Sequence, residues 1–222
     1  MAPVADLASF LDSTLLRPDA DDVDEADLAR HACASGCAAV CVAPARLATA
    51  VKVVSGTSTR VAATVAFPSG SSTTTSKRFE ALEAIRLGAT ELDIVCDLDA
   101  VRRGDVSALE REMGEIMAST PEAIHKFILE VAWLPPRAWS RLGKAIRRLR
   151  PAFVKTGTGV NAGGVTVEQV VRLCDAAAGD VGVKAAGGIR DLEQARTLLA
   201  AGAVRLGTSS AAALLADNLA LR

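Results

Sequence analysis

Residues 88–95 read Gly-Ala-Thr-Glu-Leu-Asp-Ile-Val. A glycine suited to the left-handed conformation at a helix end is followed by a short run of alternating charged and branched residues. The same punctuation recurs. Gly36-Cys37-Ala38 precedes one apolar run, and Gly202-Ala203-Val204 precedes another. Working outward from 88–95, short β-branched runs fall at 10–13, 39–42, 60–67, 91–96, 126–131, 152–156, 181–185 and 204–207. Several are apolar almost throughout, as expected of parallel strands covered on both sides. Helical patterns fill the gaps, at 23–35, 46–54, 75–87, 106–118, 136–148, 166–178, 192–201 and 210–218.

Eight strands each followed by a helix predict an α/β protein of the (β/α)8 TIM barrel type. The 222 residues fall a little short of the roughly 250 typical of this architecture, so loops should be short. Neither a linker nor a low-complexity tract interrupts 1–222, which reads as a single domain. A doubly wound open sheet competes less well. The strand count is wrong for it, and the first strand has no glycine-rich turn after it.

Composition narrows the function. Half of the chain is hydrophobic, yet 3% is aromatic and tyrosine is absent. The expected core is aliphatic, with branched residues filling the barrel lumen and a few charged groups left over. A net charge of −1 and scarce aromatics argue against nucleic acid as a partner. The basic run of Arg141, Lys144, Arg147, Arg148 and Arg150 reads as a solvated helix face. No membrane span is expected, since the uncharged stretch 31–45 is broken by His, Gly and Pro. Residues 1–11 have no basic leader, and five cysteines in a chain of this size read as reduced thiols of a cytoplasmic protein. Cys33, Cys37 and Cys41 span a helix end and a strand, which suits packing better than a metal.

Barrel enzymes place their chemistry at the C-terminal ends of strands. Asp93, in an otherwise apolar strand, should face the lumen while Leu92 and Ile94 face the helices. Lys155 follows Phe153-Val154 on the sixth strand, and Lys184 follows Val183 on the seventh. Strands of equal parity share a lumen layer, which brings Asp93 level with Lys155. Adjacent strands lie about 4.8 Å apart, which brings Lys155 beside Lys184. Two neighbouring buried lysines depress each other's protonation, and a free amine can attack a carbonyl. Asp93 would keep one lysine charged or relay protons through water. These groups suit Schiff-base chemistry without a metal or other cofactor. The residues alone leave open which lysine is the nucleophile. The competing reading is a structural ion pair that plugs the barrel.

A second signal lies after strands seven and eight, where these barrels commonly hold a phosphate. Gly187-Gly188 and Gly207-Thr-Ser209-Ser210 offer backbone amides, and the second loop opens a helix. Ser209 and Ser210 are expected both to cap that helix and to donate hydroxyls. Turn formation and ordinary capping are the plainer alternative for each loop.

The chain resembles the deoxyribose-phosphate aldolase family over nearly its whole length. The resemblance rests on Leu-Asp-Ser-Thr-Leu-Leu at 11–16, Ala-Val-Cys-Val-Ala-Pro at 39–44, and Phe-Pro-Ser-Gly at 67–70 with Thr74 and Lys77. It continues through 88–95, Phe-Val-Lys-Thr-Gly-Thr-Gly at 153–159, Gly-Val-Lys-Ala-Ala-Gly-Gly-Ile-Arg at 182–190 and Ala-Gly-Ala-Val-Arg-Leu-Gly-Thr-Ser-Ser at 201–210. It implies that Lys155 forms the Schiff base, with Lys184 beside it and Asp93 as acid/base partner through water. It implies that Asp12 and Thr14 line the same pocket, with Asp12 and Thr158 placed to hydrogen-bond the substrate. Gly187, Gly188, Ser209 and Ser210 would hold the phosphate of a phosphosugar substrate. Two further contacts are expected from position alone: Cys41, near a strand end, with the substrate, and Gly207, in the loop after strand eight, with the phosphate. A homodimer is the implied assembly.

Ala66, Ser13, Ala186 and Gly157 stand where the family commonly has glycine, histidine, serine and serine. Some members carry a C-terminal tyrosine that reaches the site. This chain has none, so the proton steps fall to water and Asp93. The role of Glu130, at the end of the fifth strand, stays open between a pocket carboxylate and a partner for either lysine. Two other functions fit the same residues. One is a different Schiff-base aldolase or isomerase of a sugar phosphate, separable by product analysis. The other is a non-catalytic sugar-phosphate binder, which has no need of a free amine.

Overall fold

The structure is a computed structural model that describes residues 4–221. Residues 1–3 of the segment read for a leader, and Arg222, lie outside the described residues. Eight parallel strands close into one barrel in chain order. They are β1 (Leu11–Leu15), β2 (Ala39–Val42), β3 (Arg60–Val65), β4 (Glu91–Val95), β5 (Ile124–Ile128), β6 (Phe153–Lys155), β7 (Gly182–Ala186) and β8 (Arg205–Thr208). The ring closes where Leu11, Asp12 and Ser13 of β1 pair with Leu206, Gly207 and Thr208 of β8.

Helices α1 (Asp22–Ser35), α2 (Leu47–Val54), α3 (Thr74–Arg86), α5 (Val106–Ser119), α6 (Trp139–Leu149), α7 (Val167–Ala177) and α8 (Leu192–Ala200) carry the chain back between strands, and α9 (Ala211–Leu219) follows β8. Their ends follow local chemistry. Asp21 caps α1 and Thr166 caps α7, each in a reciprocal capping box. Gly36 ends α1 in the left-handed region, at φ 72°. One element is not foreshadowed by periodicity. The short α4 (Leu98–Arg103) lies between β4 and α5, opened by Asp97 and closed by Gly104. Six residues are too few to display a helical repeat. At the start of α6 the chain makes a separate 3-10 turn over Pro136–Ala138 before the helix proper.

The core differs from the sequence expectation in one respect. Most of the branched aliphatic bulk lies outside the barrel wall, where Val40, Val61, Leu92, Ile94, Val154, Val183 and Leu206 pack beneath the helices. The lumen is not filled mainly by branched residues. It holds a small cluster of Ala39, Cys41 and Ala62 and buried charges from most of the strands. Small side chains on β2 and β3 leave volume for long lysine and arginine side chains from the opposite wall.

A second buried ion pair lies outside the barrel. Lys77 of α3 reaches Glu112 of α5 at 2.6 Å, with both side chains almost wholly removed from water. The other Glu112 oxygen accepts the backbone N–H of Asp97 at 2.8 Å. One carboxylate therefore joins α3, α5 and the loop after β4. Glu112→Gln leaves the Lys77 ammonium buried without its counter-charge, at an expected cost of about 3–5 kcal/mol. Removing both charges by Lys77→Met with Glu112→Leu should recover much of that loss. Urea midpoints of the three proteins check both expectations.

Candidate active site

The strand ends place their lumen-facing side chains around one electrostatic network. Asp93 Oδ2 accepts from Lys155 Nζ and Lys184 Nζ, each at 2.7 Å. Its other oxygen lies 3.0 Å from Lys126. Asp12 is shared in the same way: Oδ2 takes Lys184 at 2.5 Å and Lys126 at 2.7 Å, and Oδ1 takes Arg205 at 2.7 Å. Glu91 Oε2 sits 2.5 Å from Lys126. Lys155 and Lys184 are direct partners in the β6–β7 register. In the β4–β5–β6 register Asp93 aligns with Lys126 and then Phe153, two residues short of Lys155. Strand tilt in a closed barrel makes up that offset, so the side chains meet.

Burial and charge act in opposition on every member. Burial alone would raise the Asp12 and Asp93 carboxyls. The cations outweigh it and hold both below the usual carboxylate range: Lys126, Lys184 and Arg205 on Asp12, and Lys126, Lys155 and Lys184 on Asp93. Burial pushes Lys126 and Lys184 down, but their carboxylate neighbours reverse this and raise both above an ordinary lysine. Lys155 goes the other way. Burial lowers it, Lys184 lowers it further, and Asp93 does not restore it. The site therefore holds two firmly charged ammonium groups next to one amine inclined to lose its proton.

Lys155 is also the lysine that opens to the exterior. It lines a cavity of about 500 Å³ at the C-terminal mouth of the barrel, together with Thr14, Phe67, Thr158, Gly187, Gly188, Gly207 and Ser209. Four glycines, Gly159, Gly187, Gly188 and Gly207, contribute backbone to the lining. Gly187 has φ 119°, and a Cβ there would fall 2.9 Å from the Gly163 carbonyl oxygen, so no side chain fits. The missing side chain lets the loop after β7 pack directly on the backbone of residues 159–165.

A family model for DeoC/LacD aldolases matches residues 9–217. The chain belongs to the DeoC/LacD family of aldolases. It is 36% identical to the deoxyribose-phosphate aldolase of Streptococcus pneumoniae serotype 19F (strain G54), over 96% of this chain and 97% of that one. It is 34% identical to the deoxyribose-phosphate aldolase of Geobacillus sp. (strain WCH70), over 96% of each. Among solved structures it superposes on the tetrameric deoxyribose phosphate aldolase of Aeropyrum pernix with a TM-score of 0.88, at 34% identity over 97% of this chain and 92% of that one.

Within this aldolase barrel the residues read from sequence divide into three groups, with Ser210 apart from them and outside the cavity lining. Asp93, Lys155 and Lys184 come together as one hydrogen-bonded cluster. Thr14, Thr158, Gly187, Gly188, Gly207 and Ser209 line the cavity. Asp12 and Cys41 are wholly buried beneath it, outside its lining. Asp12 binds cations there, and burial pushes the Cys41 thiol up to about 11. Ser210 does not cap α9 with its side chain. Its backbone N–H is taken by Thr208 Oγ1 at 2.9 Å, a local turn that competes with capping.

Glu130 touches neither lysine at ion-pair distance among the described residues. It accepts from the Thr158 hydroxyl at 2.8 Å, the Thr158 N–H at 3.2 Å and Asn161 Nδ2 at 3.3 Å. Asn161 also donates to the Pro68 carbonyl at 2.7 Å, linking the β6 loop to the β3 loop. Lys126 and Arg205 are members of the network that attention to strand C-terminal ends passes over. Alternation was the signal available for them: Lys126 shares a face with Ile128, and Arg205 with Gly207.

Stability should follow the carboxylates. The unfolded chain takes up protons on aspartates near pH 4, whereas Asp12 and Asp93 resist protonation in the fold. Their contribution is complete above about pH 4 and is lost as pH falls towards their folded-state values. Asp12→Asn strips one shared anion from three cations and should cost about 3–5 kcal/mol at neutral pH. It should also flatten the acid limb of stability between pH 3 and 5. Urea titrations of both proteins across that range test this.

Proposed function

We propose that this chain cleaves 2-deoxy-D-ribose 5-phosphate reversibly to glyceraldehyde 3-phosphate and acetaldehyde, through a Schiff base on Lys155. Its family and named relatives support the reaction. One observation carries the choice of nucleophile. Lys155 lines the cavity and meets a single carboxylate, whereas Lys184 is wholly buried and held by two.

In this reading the neutral Lys155 Nζ adds to C1 of the open-chain sugar. Loss of water gives an iminium, which draws electrons. A water held by Asp93 and Lys184 takes the proton of the C3 hydroxyl. The C2–C3 bond breaks, its electron pair moves into the iminium, and glyceraldehyde 3-phosphate departs. The enamine that remains is protonated at C2, and water hydrolyses the resulting iminium to acetaldehyde and free Lys155. Lys184 and Lys126 hold Asp93 ionised at rest, so its carboxylate can take up a proton through that water and hand it back without a phenol.

The phosphate would lie along Gly187, Gly188, Gly207 and Ser209, near the N-terminus of α9, whose partial positive charge favours an anion. Thr14 and Thr158 would face the sugar hydroxyls. Asp12 and Cys41 would shape the site from below, and Ser210 would act through the turn it forms. The whole chain acts as one domain in this proposal, in the cytoplasm and as a homodimer. In keeping with this, the cysteines are all free, and no helix among the described residues is long and apolar enough to cross a membrane.

Borohydride reduction in the presence of substrate should fix an adduct on Lys155, read by peptide mass. Lys155→Met should abolish that adduct and lower turnover to below about 10⁻³ of the parent. An adduct on Lys184, or undiminished turnover in the variant, overturns the assignment.

A further inference from the structure

We infer that Arg205, on the floor of the barrel and away from the substrate cavity, is a positioning residue that keeps Lys155 available as a free amine. It does so by giving the lumen one more cation than it has carboxylates. The inference rests on the reading of Lys155 as the nucleophile and assigns a part to a group that touches no substrate.

The argument is a charge count around the lumen, strand by strand. Asp12 comes from β1 and the un-ionised Cys41 thiol from β2. Glu91 and Asp93 come from β4, Lys126 from β5, Lys155 from β6, Lys184 from β7 and Arg205 from β8. From β3 only Arg60 approaches, 3.4 Å from Glu91 Oε1, and its half-exposed side chain is screened by water. Within the ion-pair network three buried carboxylates therefore face four buried cations; Glu130, the buried carboxylate after β5, is held by Thr158 and Asn161 and makes no ion pair with these cations among the described residues. An uncompensated charge in such a space is costly, so one of the four tends to shed its proton.

Arg205 cannot be that group, because a guanidinium does not deprotonate in proteins. It is held in place on the floor. Its guanidinium bonds Asp12 Oδ1 at 2.7 Å, lies 3.7 Å from Glu91 Oε2, and stacks over the Phe153 ring at 5.2 Å. The deficit passes to the lysines. Lys126 has carboxylate oxygens of three residues within 3.0 Å, and Lys184 has those of two. Lys155 has one. The lysine with the fewest anions is the one that gives up its proton, and it is the one that meets the cavity. Arg205 fixes the excess because it occupies negative charge the lysines would otherwise share.

Glu91 supplies the opposite control. Removing Arg205 should make the lumen neutral and raise the pH at which Lys155 becomes free. Removing the Glu91 charge should deepen the excess and lower that pH. Removing both should restore the original balance.

The test is trace acetylation of the full-length protein with acetic anhydride across pH 6–11, with the Lys155 peptide followed by mass. The midpoint should move up by roughly one pH unit in Arg205→Met. It should move down in Glu91→Gln and return close to the parent in the double variant. A folded Arg205→Met with an unmoved or lowered midpoint overturns the inference. So do single variants that shift in the same direction, which is what a merely structural floor would give. If Arg205→Met does not fold, the downward shift in Glu91→Gln decides alone. Borohydride trapping runs in parallel. A trapped adduct elsewhere than Lys155 refutes the functional reading while leaving the acetylation midpoints to judge the charge balance.

Discussion

Two carboxylates hold the centre of this molecule together. Asp12 and Asp93 sit inside a closed wall of backbone, and each is shared by three cations. Neither arrangement would be tolerable without the other. Buried lysines need anions, and buried aspartates whose protonation is already favoured by desolvation need cations to stay ionised. The barrel brings them together because each strand contributes one or two lumen positions and the strand tilt slides distant register positions level. Closure at the β1–β8 seam matters for the same reason, since Asp12 reaches Arg205 and Lys184 only when the ring is complete.

The division of labour follows from how the anions are shared. Charge is distributed unevenly around the lumen, so chemically identical ammonium groups acquire different tendencies to ionise. Position in the wall then matches tendency to access. The lysine that opens to the cavity is also the one with the least electrostatic support. Fold and chemistry are thus linked through the same side chains, and the outer aliphatic layer beneath the helices supplies the rigidity that keeps those distances fixed.

Much of this was legible from the chain. Strand runs bounded by glycine and β-branched residues gave the barrel, and alternation about Asp93 gave the inward direction of its carboxylate. Lys155 and Lys184 stood out because each interrupts an apolar run at a strand's end. Lys126 and Arg205 are harder to read for a physical reason. Lys126 is the middle residue of β5 and Arg205 the first of β8, but in the sequence each lies near the start of its apolar run, where a polar residue normally reads as the edge of a strand facing water. Their long side chains instead run inward and up the lumen. Asp12 was legible through the family resemblance as a substrate contact but not as a hub, because its three partners come from 114 to 193 residues away in sequence. The expected filling of the lumen by branched residues failed because composition counts side chains without saying which face of the wall they occupy.

The tie between Asn161 and the Pro68 carbonyl reaches further than its single hydrogen bond. With Glu130 gripping Thr158 and Asn161 together, the rim after β6 and the rim after β3 form one span across the mouth. A span of this kind works as a fixed gauge. The β6 loop can retreat only by breaking the buried carboxylate's contacts, and the β3 loop only by giving up its bond from Asn161, so the width of the opening belongs to the scaffold and is not set anew by each molecule that enters. Admission is then decided by the dimensions of the visitor.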